Sequence, residues 1–195
     1  MDRAHHARDA LLLATFAVAA MVALMLFADG GPSAVAAIAG TPFTTVEPTV
    51  LRLALACDTL LPIGYGAGFC LLAFTLAEDA LAAVTCLFAL AGVTMDFVEN
   101  GAVVAGAPVF ALTVAKYGLL GVTVFLLGTM LGDDPIERLA SLVARFATPF
   151  FLAFLLSGLG GEWTVWPFAT MLMGSFALLA LVAHRRIGTR RIGTS

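Results

Sequence analysis

The sequence predicts an all-α, polytopic transmembrane bundle of about six helices with both termini in the cytoplasm. Three observations carry that expectation. Hydrophobic residues make up 61% of the chain and charged residues 12%, where a soluble domain carries about 25% charge. The mean hydropathy is +1.02. The apolar residues also fall into six runs, each close to the roughly 20 residues that a helix needs to cross a bilayer. These runs fill the 195 residues, so residues 1–195 read as a single integral membrane domain with no room for a soluble one.

The first span covers residues 10–28 and is closed by Asp29, Gly30, Gly31 and Pro32, through backbone entropy and the missing proline donor. It exceeds the signal-peptide apolar region of about 7 to 15 residues, so a retained helix is preferred although Arg3 and Arg8 precede it. Residues 33–48 hold only a short apolar piece and form an external loop or a re-entrant segment. The second span, 50–77, is long enough to require tilt or a kink, for which Pro62 supplies a cause. Its Gly64 and Gly68 form a G-x-x-x-G that admits a neighbouring helix. Glu78 and Asp79 make a polar turn, and Asp79 is placed to cap the third span, 80–104.

Gly106, Ala107 and Pro108 turn the chain, with Pro108 opening the fourth span, 108–131. Asp133 is followed by Asp134, Pro135 and Glu137, a capping-box variant ahead of the fifth span, 139–158. Glycines at 158, 160 and 161 separate it from the sixth, 164–184. Pro62 and Pro149 occupy corresponding places in two three-helix halves, a suggestion of an inverted repeat. The sixth span lacks any acidic group to match the third.

Six crossings put Arg3, Arg8, Arg138, Arg185, Arg186, Arg190 and Arg191 on one side, which the positive-inside rule makes cytoplasmic, in a cell inner (plasma) membrane. Arg52 dissents and is expected to snorkel or to pair with Glu47. Trp163 and Trp166 fall at the opposite end, where an aromatic belt sits. Arg145 is read as snorkelling, and Ser157 and Ser175 as helix-packing hydroxyls. A net charge of -3, with most arginines at the chain ends rather than on one helical face, excludes a broad basic nucleic-acid surface. Cys57, Cys70 and Cys86 lie in apolar runs without C-x-x-C spacing and read as small buried hydrophobes. His5, His6 and His184 stand at span ends, which disfavours zinc hydrolysis and bis-histidine haem, and no serine has an evident base beside it.

The residues that cost free energy in a membrane are Asp58, Asp96, Glu99 and Lys116, with Tyr65, Asn100 and Tyr117 near them in sequence. Charged groups at depth usually face the bundle interior and mark function. Asp58 lies about 12 Å below the outer end of its span, Asp96 about as deep, and Glu99 about one turn shallower. Lys116, the sole lysine of the chain, returns to that level. Asp96, Glu99 and Asn100 share one helix face, as do Asp58, Pro62 and Tyr65. Three carboxylates against one ammonium leave excess negative charge that a low-dielectric site does not hold. Either a carboxyl carries a proton or a hard cation is bound. The alternative is structural, with Lys116 paired to Asp96 or Glu99 to fix helix register.

The D-x-x-x-P-x-x-Y of Asp58, Pro62 and Tyr65, the D-x-x-E-N of Asp96, Glu99 and Asn100, and the following Lys116 together resemble an uncharacterised family of small bacterial multi-pass membrane proteins. The resemblance covers the second to fourth spans and implies that these polar residues belong together; it implies no activity. The expected function is proton- or cation-coupled transport of a small molecule, or an accessory role in it, through a substrate- or ion-binding site made of Asp58, Tyr65, Asp96, Glu99, Asn100, Lys116 and Tyr117. Membrane lipid, a homo-oligomer or a membrane protein are the expected partners, and no cofactor is expected beyond a hard cation. Two further readings stay open: a non-catalytic assembly partner, and an intramembrane lipid- or isoprenoid-modifying enzyme with Asp96 or Glu99 as acid/base and Lys116 stabilising an anion. A retinal-like Schiff base on Lys116 has the residue types but neither the helix count nor a tryptophan cage. No catalytic residue is assigned.

Overall fold

The computed structural model describes residues 3–27, 48–77, 79–107, 109–156 and 162–192. They form six helices: α1 (Arg3–Phe27), α2 (Pro48–Leu76), α3 (Ala80–Val104), α4 (Phe110–Met130), α5 (Pro135–Leu156) and α6 (Glu162–Ile192). Among the described residues there is no strand. The all-α bundle of six is therefore the fold, and α1 to α4 are long and apolar enough to cross a membrane. α5 differs in its first half, where Glu137, Arg138 and Arg145 interrupt the apolar pattern.

Helix ends depart from the expected spans where polar residues extend them. α1 starts at Arg3 because Ala4 and Ala7 are already buried. α6 continues through the arginines to Ile192. α4 begins at Phe110, with Val109 in the cap position and no side-chain cap bond. The loop or re-entrant segment 33–48 up to residue 47, the Arg52 to Glu47 pairing, Glu78, Pro108, Ser157 and the glycines of 158–161 lie outside the described residues, as do the side chains of Pro149, Trp163 and Trp166, while Pro48 already belongs to α2.

Each helix packs on the next in sequence, and α6 returns to α1, so the helices close into a ring. Neighbours run antiparallel, as their contacts require: Gly64 of α2 meets Ala10 and Ala14 of α1 while Gly68 meets Leu11, and Cys70 of α2 exchanges contacts with Cys86 of α3 while Tyr65 bonds Asp96. Both chain ends consequently lie at one end of the bundle, together with the α2 to α3 and α4 to α5 connections.

Side-chain size sorts inside from outside. α3 turns Ala82, Thr85, Cys86, Ala89, Gly92, Asp96 and Glu99 inward, a helical stripe of small residues that ends in two carboxylates. Leu81, Val84, Leu87, Leu90, Phe97 and Val98 of the same helix point outward. Water would drive such residues in; a lipid solvent does not, and packing then favours small residues at helix contacts. α1 follows the same rule, burying Ala4, Ala7, Leu11, Ala14 and Val18 at alternating steps of three and four. Gly64 meets this row: a Cβ there would lie 2.8 Å from the backbone nitrogen of Ala14. Hydroxyls inside the bundle bond their own helix, as Thr75, Thr85, Thr123 and Ser175 do to the carbonyl four residues back. Ser175 thus bonds Met171 of its own helix and not a neighbour.

The end that carries both chain termini is clasped by charge. Asp79 caps α3 by accepting from Leu81 and Ala82 N–H at 2.9 and 3.3 Å. Asp134 accepts from Ile136 N–H at 3.0 Å and from Arg185 of α6 at 2.5 Å. Glu137 reaches back to the Gly132 N–H at 2.7 Å, not to its cap residue, and takes both arms of Arg186 at 2.7 Å each. The acidic group expected to cap α5 therefore also ties α5 to α6.

The glycine contact yields a test. Gly64→Ala forces backbone against backbone and should destabilise the bundle by about 1 to 3 kcal/mol, read as a lowered melting temperature in detergent. Gly174→Ala, where an added Cβ meets nothing within 4 Å, should be neutral or stabilising by up to about 1 kcal/mol.

Candidate functional site

α2, α3 and α4 each carry polar residues at the level of the inward stripe's end. α3 supplies Asp96, Glu99 and Asn100, about 12 to 6 Å from its C-terminus. α4 runs the opposite way and supplies Thr113, Lys116 and Tyr117, with Lys116 about 9 Å from its N-terminus. Antiparallel packing therefore sets Lys116 beside Asp96 and Glu99, and Thr113 one turn further along beside Glu99.

The ammonium of Lys116 donates to Asp96 Oδ1 at 3.2 Å and to Glu99 Oε2. Thr113 Oγ1 donates to the other oxygen of Glu99 and also lies 3.1 Å from its own-helix carbonyl of Val109. Tyr65 of α2 donates its hydroxyl to Asp96 Oδ2 at 2.7 Å. Lys116 Nζ sits 5.0 Å from the centre of the Tyr117 ring, within cation–π range. Asp96 is 2% exposed, and Glu99 and Lys116 are 8% exposed. Both carboxylates are thus held by two donors from different residues, as a buried charge requires.

An aromatic group walls the cluster from the bundle centre. Tyr65 stacks on Phe176 of α6 with ring centres 6.1 Å apart, and Phe69 lies 5.7 Å from Tyr65 and 5.9 Å from Phe176. The Tyr65 hydroxyl is the polar tip of this apolar wedge, which fixes the Asp96 carboxylate from behind. Asp58, one end of the D-x-x-x-P-x-x-Y pattern, stands at the margin and is partly exposed. It lies near the charged groups of Asp96, Lys116 and Glu99 and within reach of the Asn100 side chain. The Asn100 amide nitrogen is buried beside it without a hydrogen bond of ordinary geometry to any described residue.

All seven residues singled out from the sequence therefore fall in one cluster or at its edge. Lys116 is paired with both Asp96 and Glu99, where register pairing required only one. Thr113 was missed, although it lies three residues before Lys116 and so shares its helix face. The chain's sole lysine and both of its tyrosines meet here. Among the described residues no group of three or more His, Cys, Asp or Glu side chains is arranged as a metal site; the ammonium itself stands between the two carboxylates. The three cysteines are unbridged, and Cys86 is buried while Cys57 and Cys70 are partly so. No protein-family model, curated protein or solved structure matches this chain.

Breaking the ion group on one side leaves a buried charge without its partner. Lys116→Met should cost about 3 to 5 kcal/mol of stability. Adding Asp96→Asn and Glu99→Gln to that variant should recover most of the loss, because no charge then remains buried. Melting temperatures of the three proteins in detergent check both halves; a single substitution without effect would show that the pair is solvated.

Proposed function

We propose that this membrane protein handles a proton or a small cation at the Asp96, Glu99 and Lys116 cluster, in coupled transport of a small solute or as the ion-handling subunit of a transporter. The reading rests on one observation: an ammonium shared by two carboxylates, nearly excluded from solvent, with a third carboxylate, Asp58, at the edge of the same cluster and partly exposed. Ionised side chains are expensive within a bilayer and are kept where charge must be taken up or released. Lys116 holds α3 to α4 through charge. A proton on either carboxylate, or a competing cation, weakens that hold and offers the helices a second arrangement. Asp58 and Asn100 form the approach, one a carboxylate partly open to solvent and the other a buried amide beside it.

Placement of both termini in the cytoplasm belongs to this proposal and is supported by the arginines gathered at the terminal end. A green fluorescent protein fused after Ser195 should fluoresce in intact bacteria; a dark but stably expressed fusion would reverse the orientation.

The chemistry is tested in liposomes containing a trapped pH dye. A pulse of sodium or potassium chloride should shift internal pH with the native protein, and Asp96→Asn and Glu99→Gln should abolish the shift. Equal responses from native and variant proteins would sink the coupling. One observation favours a second reading, in which the cluster only assembles the bundle: Lys116 already has both carboxylates and an aromatic face as partners. In that case the neutral triple variant should keep whatever cellular role the native chain has.

A further inference from the structure

Arg145 of α5 is unlike the arginines around it. Arg138 pairs with Asp133, Arg185 with Asp134, and Arg186 with Glu137. Among the described residues no carboxylate pairs with Arg145. Its guanidinium donates from Nη2 to the backbone carbonyl of Gly128 at 3.1 Å, and Ser141 donates to the same oxygen at 2.7 Å.

Gly128 lies in the last turn of α4, whose terminal carbonyls have no partner within the helix. The Arg145 stem is pressed onto this turn, since a Cβ on Gly128 would lie 3.2 Å from Arg145 Cγ and 3.1 Å from Ala144 Cβ. The guanidinium is thus fixed near the end of α4, about 3 Å of helix from Met130, at the charged end of the bundle. Among the described residues one of its five N–H groups finds an acceptor, and the residue is exposed. Leu142 precedes it by about one turn and Phe146 follows it on the outward side of α5, and Phe125 faces outward one turn before Gly128 on α4.

We propose that the outer seam of α4 and α5 binds an anionic phospholipid, its phosphate on Arg145 and an acyl chain along Phe125, Leu142 and Phe146. Charge complementarity selects the headgroup: the cation has no carboxylate partner among the described residues, is docked on a neutral carbonyl, and presents its remaining donors at headgroup depth. The adjoining apolar edge selects a lipid over a free anion, which would leave that edge uncovered. The site is separate from the Lys116 cluster, and its fate does not depend on the function proposed there.

The test is lipid retention by native mass spectrometry after purification from vesicles of equal phosphatidylglycerol and phosphatidylcholine. The native protein should retain phosphatidylglycerol about fivefold over phosphatidylcholine, Arg145→Lys should keep part of this preference, and Arg145→Gln should abolish it. Arg138→Gln should leave it intact. Equal retention of both lipids by the native protein, or equal losses from Arg138→Gln and Arg145→Gln, would overturn the proposal. So would displacement of the lipid by inorganic phosphate alone, which marks capture of an ion without its chain. A second measurement leaves Arg145 in place: Phe146→Trp, in a chain with Trp163→Phe and Trp166→Phe, should be quenched more strongly by brominated phosphatidylglycerol than by brominated phosphatidylcholine. Equal quenching would again overturn it.

Discussion

The bond of Lys116 to two carboxylates, in a place with almost no solvent, sets conditions that the surrounding structure has to meet. Charges in a low-dielectric interior are tolerated only when their remaining lone pairs and protons find partners. Thr113 and Tyr65 supply those partners for Glu99 and Asp96, and the Tyr117 ring covers part of the ammonium. The Tyr65, Phe69 and Phe176 wedge then separates the cluster from the rest of the core. Removing Tyr65 or Thr113 would leave one carboxylate oxygen without its donor, and removing Lys116 would leave both carboxylates without a counter-charge, which is why residues from three helices converge on this layer.

That convergence depends on close helix approach. The stripe of Ala82, Cys86, Ala89 and Gly92 lets α3 lie against its neighbours, and Leu120 of α4 fills the space above Gly92. Gly66 likewise receives Val93, while Gly64 and Gly68 on the other side of α2 receive α1. Large apolar residues on the inside would hold the helices apart and lengthen every bond in the site. Lipid permits the inversion, because it exacts no penalty for Leu87 or Phe97 on the outside. Packing and electrostatics therefore act together: small residues set the spacing at which the Lys116 ammonium can reach two carboxylates.

The two ends of the bundle use charge differently. At the terminal end, Asp134, Glu137, Arg185 and Arg186 join α5 to α6 where water and headgroups can screen them. There, loss of an exposed pair such as Arg138 with Asp133 costs little, whereas Glu137 is buried beneath Arg186. Toward the other end, the same residue types are stripped of solvent, and their pairing becomes a property on which helix arrangement depends. Arg145 lies between these cases, tied to a carbonyl but without an anion among the described residues.

The sequence by itself determined the class, the helix count and the common level of the charged residues on α2 to α4. Run length and composition respond to bilayer thickness, which is a one-dimensional constraint, and Asp79 marked the start of α3 because a cap is local. Spacing of three and four placed Asp96, Glu99 and Asn100 on one face, again without knowledge of any neighbour. Only the tertiary structure decided which faces meet: that Tyr65 rather than Asp58 bonds Asp96, that Lys116 serves both carboxylates, that Thr113 completes Glu99, and that Glu137 holds Arg186 as well as the α5 start. Those choices depend on the rotation of each helix about its own axis and on the distance between axes. Both are fixed by side-chain volumes on facing helices, which periodicity along one chain does not encode.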